Sequence, residues 1–272
     1  MDTRPIGVFD SGIGGLTVVS EIFSQLPGER VIYLGDTARF PYGPKSSSTV
    51  TAFAKDDCRF LLDSGVKLIV AACNTATAYA LPSLCDEFDV PVIGVIHPGA
   101  TAAARASTNG LIGVIGTEGT IASDEYQKTI TEIDSKLSVF AKPCPLFVAL
   151  AEEGATETDA AFLIAADYLE PIRQANIDTL VLGCTHYPLL KNVIRRVVGP
   201  QITLVDSAEE TARTVADLLR TRDIAANGEP THAHGFFVTD LPTKFAELGE
   251  RFLGYPLPNI EMVEVGPIAS TE

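Results

Sequence analysis

Lys67-Leu-Ile-Val-Ala-Ala-Cys73-Asn-Thr75 is echoed 111 residues later by Asp178-Thr-Leu-Val-Leu-Gly-Cys184-Thr-His186. Each stretch is a short apolar run that ends in small residues, then a cysteine and two polar residues. Runs rich in β-branched residues and free of polar alternation suit strands buried on both faces of a parallel sheet. Ile6-Gly-Val-Phe9 and Ile112-Gly-Val-Ile115 match at an offset of 106, and Pro91–Ile96 aligns loosely with Gln201–Asp206 at 110. Three matches in one order at nearly one offset predict two similar α/β units.

Working outward, Val31–Leu34 and Val92–Ile96 read as further strands beside Ile6–Phe9 and Lys67–Ala71. Ile112–Ile115, Thr179–Leu182 and Ile202–Val205 supply the second set. Between them lie helical patterns. Thr49–Asp63 carries an apolar stripe of Val50, Phe53, Ala54, Leu61 and Leu62, and Thr156–Gln174 is another, with Pro171 expected to kink or end it. Ser207-Ala-Glu-Glu210 reads as a capping box opening a helix through Leu219. The tail is expected to add a strand at Gly235–Val238 and a helix around Thr243–Phe252. The predicted fold is α/β, two similar lobes with mainly parallel sheets. Residues 1–97 form the first, completed by 208–272, and 98–207 form the second. Ligands in such sheets bind at the carboxyl ends of the strands, so the active site is expected in the cleft between the lobes.

The 272 residues include 35 acidic and 20 basic side chains, a net charge of −15. That balance argues against direct nucleic-acid binding and against a surface drawn to anionic membranes. Apolar runs such as Leu68–Cys73 fall far short of the roughly 20 residues a spanning helix needs. The start, MDTRPIGVFDSG, has no signal-peptide core, so a soluble cytoplasmic protein is expected. Cysteines stand at 58, 73, 85, 144 and 184 without a CxxC, and histidines at 97, 186, 232 and 234 offer no zinc spacing. Neither a disulfide scaffold nor a structural metal site is expected.

Cys73 and Cys184 each sit between a buried strand and the first turn of a helix, where unpaired N–H groups favour a thiolate. A lone cysteine is usually a small buried hydrophobe, and Cys58, Cys85 and Cys144 are assigned that structural role. Two cysteines in one repeated context favour chemistry. A facing pair of thiols can invert a carbon centre: one removes a proton, the other delivers one, and reversal swaps their protonation states. No cofactor is needed for that, and no lysine context indicates pyridoxal. Asp10-Ser11-Gly12-Ile13-Gly14-Gly15 follows the first strand, so it lies at the same sheet edge. Ser11 and the backbone amides can bind a carboxylate, and Asp10 can accept from a substrate ammonium or tune a thiol. Gly12-x-Gly14 also begins a dinucleotide fingerprint, with Asp36 at the end of the next strand, but Thr17 stands where its third glycine or alanine belongs. Pro41-Tyr42-Gly43-Pro44 is a turn by composition. His186 is a candidate acid–base helper beside Cys184, whereas Glu152 and Glu153 read first as a solvated loop.

Taken together, IGVFDSGIGGLTV (6–18), YLGDTARFPYG (33–43), ACNTATA (72–78), VIGVIHPG (92–99) and LGCTHYPLL (182–190) resemble the cofactor-independent glutamate racemases of bacterial cell-wall synthesis. The resemblance covers most of the first 200 residues. It implies that Cys73 and Cys184 are the acid/base pair, Cys73 deprotonating the D-enantiomer and Cys184 the L-enantiomer, assisted by Asp10, Glu152 and His186. It implies that Asp10, Ser11, Tyr42, Gly43, Asn74, Thr75, Thr185 and His186 bind substrate, with no cofactor and no metal. It also implies a homodimer that supplies D-glutamate for peptidoglycan. Aspartate racemisation and, as in some relatives, inhibition of DNA gyrase are the alternatives. PCPLFVALAEEG (143–154) carries Ala149 and Ala151 where relatives have bulkier residues or proline, so Glu152 is the least firmly matched position.

Overall fold

In the first sheet, β1 (Ile6–Asp10) leads to α1 (Leu16–Gln25), and β2 (Val31–Gly35) to α2 (Ser47–Asp63). Next, β3 (Leu68–Ala71) leads to α3 (Asn74–Glu87), and β4 (Val92–Gly94) to α4 (Ile96–Ala106). The pattern restarts with β5 (Leu111–Gly116), α5 (Glu118–Ala122), α6 (Glu125–Ile133), β6 (Ser138–Pro143), α7 (Leu146–Glu152) and α8 (Asp159–Gln174). It closes with β7 (Thr179–Gly183), α9 (Lys191–Val198), β8 (Thr203–Asp206) and α10 (Ser207–Thr221). The tail adds β9 (Gly235–Val238), α11 (Pro242–Leu253) and β10 (Ile260–Met262). This computed structural model describes residues 2–226, 228, 233–257 and 259–266; His232 lies outside them.

The strands form two sheets, in the orders β10-β9-β2-β1-β3-β4 and β6-β5-β7-β8, and every pairing is parallel. β2-β1-β3-β4 and β6-β5-β7-β8 share one topology, which is what the offset near 110 between matching runs implies. β1, β2, β3 and β7 are buried along their whole length. Each fully buried Val, Ile or Leu there contributes about 1.5–3 kcal/mol. One apolar core joins the lobes, running from Leu16 and Val19 of α1 to Ala208 and Ala212 of α10 and on to Leu180 of β7.

The structure corrects the sequence reading in five places. β6 was not expected, because it is an edge strand with no fully buried side chain, and its apolar run, Val139–Ala141, is only three residues long. β10, three residues at the other sheet's edge, was missed for the same reason. The expected strand Val92–Ile96 stops at Gly94, and Ile96 opens α4 instead. One apolar run there serves two elements. α10 is capped by Asp206, whose carboxylate accepts from the Ala208 N–H at 2.9 Å, rather than by Ser207, which already lies within the helix. α8 passes through Pro171 and ends at Gln174, starting at Asp159 under the Thr158 cap. Among the described residues no helix is long and apolar enough to cross a membrane.

Candidate active site

Parallel strands aim all their carboxyl ends the same way, and the loops after β1, β3, β5 and β7 line one cleft of about 300 Å³ between the sheets. Ser11, Cys73, Asn74, Thr75, Cys184, Thr185 and His186 border it, with Tyr42 and Gly43 forming part of the rim. Glu152 also reaches it, from the end of α7.

Cys73 is the N-cap of α3, its sulfur accepting from the Ala76 N–H at 3.5 Å. It also donates to the Ser11 hydroxyl at 3.7 Å. The Ala76 N–H favours the thiolate, as the strand-to-helix context predicts, and so does the Ser11 hydroxyl once it turns to donate to the sulfur. Burial and the neighbouring Asp10 carboxylate outweigh them, and the Cys73 pKa is pushed up to about 12. The thiol therefore rests protonated, contrary to the expected activation.

Cys184 has a different setting from the one expected. β7 ends at Gly183, and Tyr187–Leu190 form a 3-10 turn before α9 begins, so no α-helix starts at the thiol. Its partner is His186, whose Nδ1 lies 3.9 Å from Sγ. His186 Nε2 meets Glu152 Oε1 at 3.1 Å, so Glu152 belongs to the site and is no solvated loop. Burial pushes the His186 pKa down, but the bonds to Cys184 and Glu152 win and raise it to about 10. Its folded pKa thus exceeds the unfolded value of about 6.5. The stability this provides is fully present below about pH 6.5 and is lost as pH rises through about 10. The melting-temperature advantage of the wild type over His186→Gln is therefore expected to shrink between pH 7 and 10. A gap that stays constant over that range would refute the assignment.

Asp10 does not border the cleft. It is buried behind it, accepting from the Gly12 N–H at 3.0 Å and from the Thr185 hydroxyl at 3.5 Å. Burial raises its pKa, against the attraction of His186 and these bonds. In this geometry it acts on the cleft through Thr185, His186 and Cys73. Tyr42 borders the cleft, and its hydroxyl is bonded to the carboxylates of Asp36 and, at 3.0 Å, Asp57. Arg39 bonds Asp36, Asp56 and Asp57 at 2.6, 3.0 and 2.9 Å and so ties the 37–43 loop to α2. Asp36 serves this cluster, which removes it from a nucleotide-ribose role.

Asn74 accepts from the Tyr126 hydroxyl at 2.8 Å, leaving its buried amide Nδ2 without a partner at the cleft wall. An unpaired buried donor costs about 1–3 kcal/mol, a cost that a bound acceptor removes. Sequence reading missed Thr117 and Glu118, after β5. Thr117 bonds the Thr75 hydroxyl at 2.9 Å and the Thr120 hydroxyl at 3.0 Å. The signal was present: the offset of 106 that pairs Ile6 with Ile112 also pairs Ser11 with Thr117. Among the described residues no three His, Cys, Asp or Glu side chains gather as a metal would require.

The sequence pattern of the Asp/Glu/Hydantoin racemase family matches residues 6–215. The chain belongs to this racemase family. It is 51% identical to a glutamate racemase of Geobacter metallireducens, over 97% of this chain and 98% of that one. Among solved structures, a glutamate racemase isoform from Bacillus anthracis superposes with a TM-score of 0.93 at 43% identity, covering 96% and 97% of the two chains. The Francisella tularensis glutamate racemase, solved in complex with D-glutamate, gives 0.91 at 39% identity, covering 97% and 98%. An amino-acid racemase must handle a proton at Cα, and two thiols, Cys73 and Cys184, border this cleft.

Proposed function

We propose that this racemase interconverts L- and D-glutamate, with Cys73 and Cys184 as its two acid/base groups. The observation that carries the reading is the arrival of two thiols in one small cleft from equivalent strand ends of two like sheets. The Cys184 thiolate takes the α-proton of L-glutamate, and the electron pair left on Cα delocalises into the α-carboxylate. The Cys73 thiol then protonates the other face, giving D-glutamate. Its resting state, with the pKa near 12, is the protonated form this direction requires. The reverse reaction swaps the roles.

The α-proton is far less acidic than a thiol, so positioning and preorganised charge must lower most of the barrier. Ser11, Thr185 and the unpaired Asn74 amide are suited to hold carboxylates, while the His186–Glu152 pair balances charge beside Cys184. Supply of D-glutamate for peptidoglycan is the physiological role that follows.

Proton NMR of the purified protein with D- and L-glutamate separately in D2O tests this. Loss of the α-proton signal from both enantiomers, with formation of the opposite one, is the expected result. Exchange that retains configuration would sink the two-thiol mechanism. Exchange with aspartate alone would move the substrate to the shorter amino acid.

A further inference from the structure

Glu152 is the last residue of α7, a helix of only seven residues. The last carbonyls of a helix lack partners within it and carry the negative end of its dipole. At this end the missing partner comes from the far end of the chain. Arg251, in the last turn of α11, donates Nη1 to the Glu152 main-chain carbonyl at 3.0 Å. The same guanidinium covers Gly154, whose φ of +69° closes the helix; a Cβ there would stand 2.7 Å from Nη1. The next residue of α11 reaches the other member of the pair. Phe252 packs edge-on against His186, ring centroids 5.2 Å apart at 79°, and Phe40 stacks on the same imidazole at 6.2 Å. Two consecutive residues of α11 thus each hold one partner of the 3.1 Å Glu152–His186 contact.

We propose that Arg251, together with Phe252, is a positioning residue for the Glu152–His186 pair and through it for proton transfer at Cys184. The inference rests on the two-thiol reading above. Arg251 does not border the cleft; it acts on the backbone that carries Glu152. Its loss should therefore slow the Cys184 step while substrate binding persists.

The test compares Arg251→Met, which keeps the aliphatic stem, with Arg251→Lys, which keeps a donor. Arg251→Met is expected to lower kcat about ten- to a hundredfold, with KM changed less than twofold, and Arg251→Lys to restore most of it. With α-deuterated substrates, the isotope effect should grow for L-glutamate, whose proton goes to Cys184, and shrink for D-glutamate. Independently of turnover, the His186 imidazole, assigned in NMR spectra with His186→Gln, should titrate at lower pH in Arg251→Met. Normal wild-type turnover with isotope effects and His186 titration unchanged in Arg251→Met overturns the positioning role. A kcat loss that only tracks a loss of folded protein, with unchanged isotope effects in the folded Arg251→Lys enzyme, overturns it as well. A wild type that racemises no glutamate overturns the proposed function instead, and the His186 titration then decides the structural link alone.

Discussion

Serine in place of either Cys73 or Cys184 is expected to cut racemisation by about a thousandfold or more, in both directions. General acid or base catalysis by one positioned group is worth roughly 10²–10⁴ in rate, and each direction uses both thiols, one as base and one as acid. A hydroxyl is close to a thiol in shape but ionises far less readily, so the substitution removes the chemistry while leaving the packing nearly intact. Cys73 lies at the N-cap of α3, a position serine fills well, and Cys73→Ser should fold with an unchanged melting temperature. The measurement is the change in circular dichroism with D- or L-glutamate at saturation, with Cys85→Ser as the control. Cys85 is exposed and remote from the cleft, and its replacement should leave turnover unaltered. Wild-type rates from Cys73→Ser or Cys184→Ser would remove the two-thiol mechanism.

Gly14→Ala is the second large effect, expected to lower kcat/KM at least about a hundredfold. A Cβ at Gly14 would lie 2.2 Å from Thr185 Oγ1 and 2.5 Å from His186 Nδ1, far inside van der Waals contact. Neither neighbour is free to retreat. Thr185 bonds Asp10, and its main-chain carbonyl accepts from the Thr17 hydroxyl at 3.2 Å; His186 is held by Glu152, Phe40 and Phe252. A misplacement of about 1 Å at a reacting group costs on the order of 10²-fold, and overpacking typically costs 1–3 kcal/mol of stability as well. Steady-state kinetics and thermal unfolding of Gly14→Ala measure both. Activity within threefold of wild type would refute the steric conflict of a Gly14 side chain with Thr185 and His186. The same contact explains why Gly12-x-Gly14 imitates a nucleotide loop. Gly14 makes room for Thr185 and His186 of the second lobe, and Gly12 for the Phe40 ring of its own lobe.

Much of the site was legible before the fold was known, because it follows from chain direction. A residue just after a buried parallel strand must emerge at the carboxyl edge, and that rule placed Ser11, Cys73, Asn74, Thr75, Cys184 and Thr185 at the cleft. Glu152 was harder to place. It lies at the end of a short helix, 34 residues from His186 in sequence, and nothing local distinguishes it from the solvated Glu153 beside it. Arg251 was invisible for the same reason, since its partner is a backbone carbonyl 99 residues away.

Periodicity and repetition in the sequence by themselves determine the α/β class, the two like units and the strand ends from which the thiols emerge. Those properties are local, set by whether an apolar run must be covered on both faces and by the handedness of its crossovers. What only the tertiary structure decided is electrostatic and steric. The same strand–Cys pattern yields a helix cap at Cys73 and a histidine partner at Cys184, and the cap's N–H groups fail to activate Cys73 because burial and Asp10 outweigh them. A pKa depends on every charge and every layer of protein around a group. Residues far apart in the chain supply those surroundings, and only the folded packing brings them together.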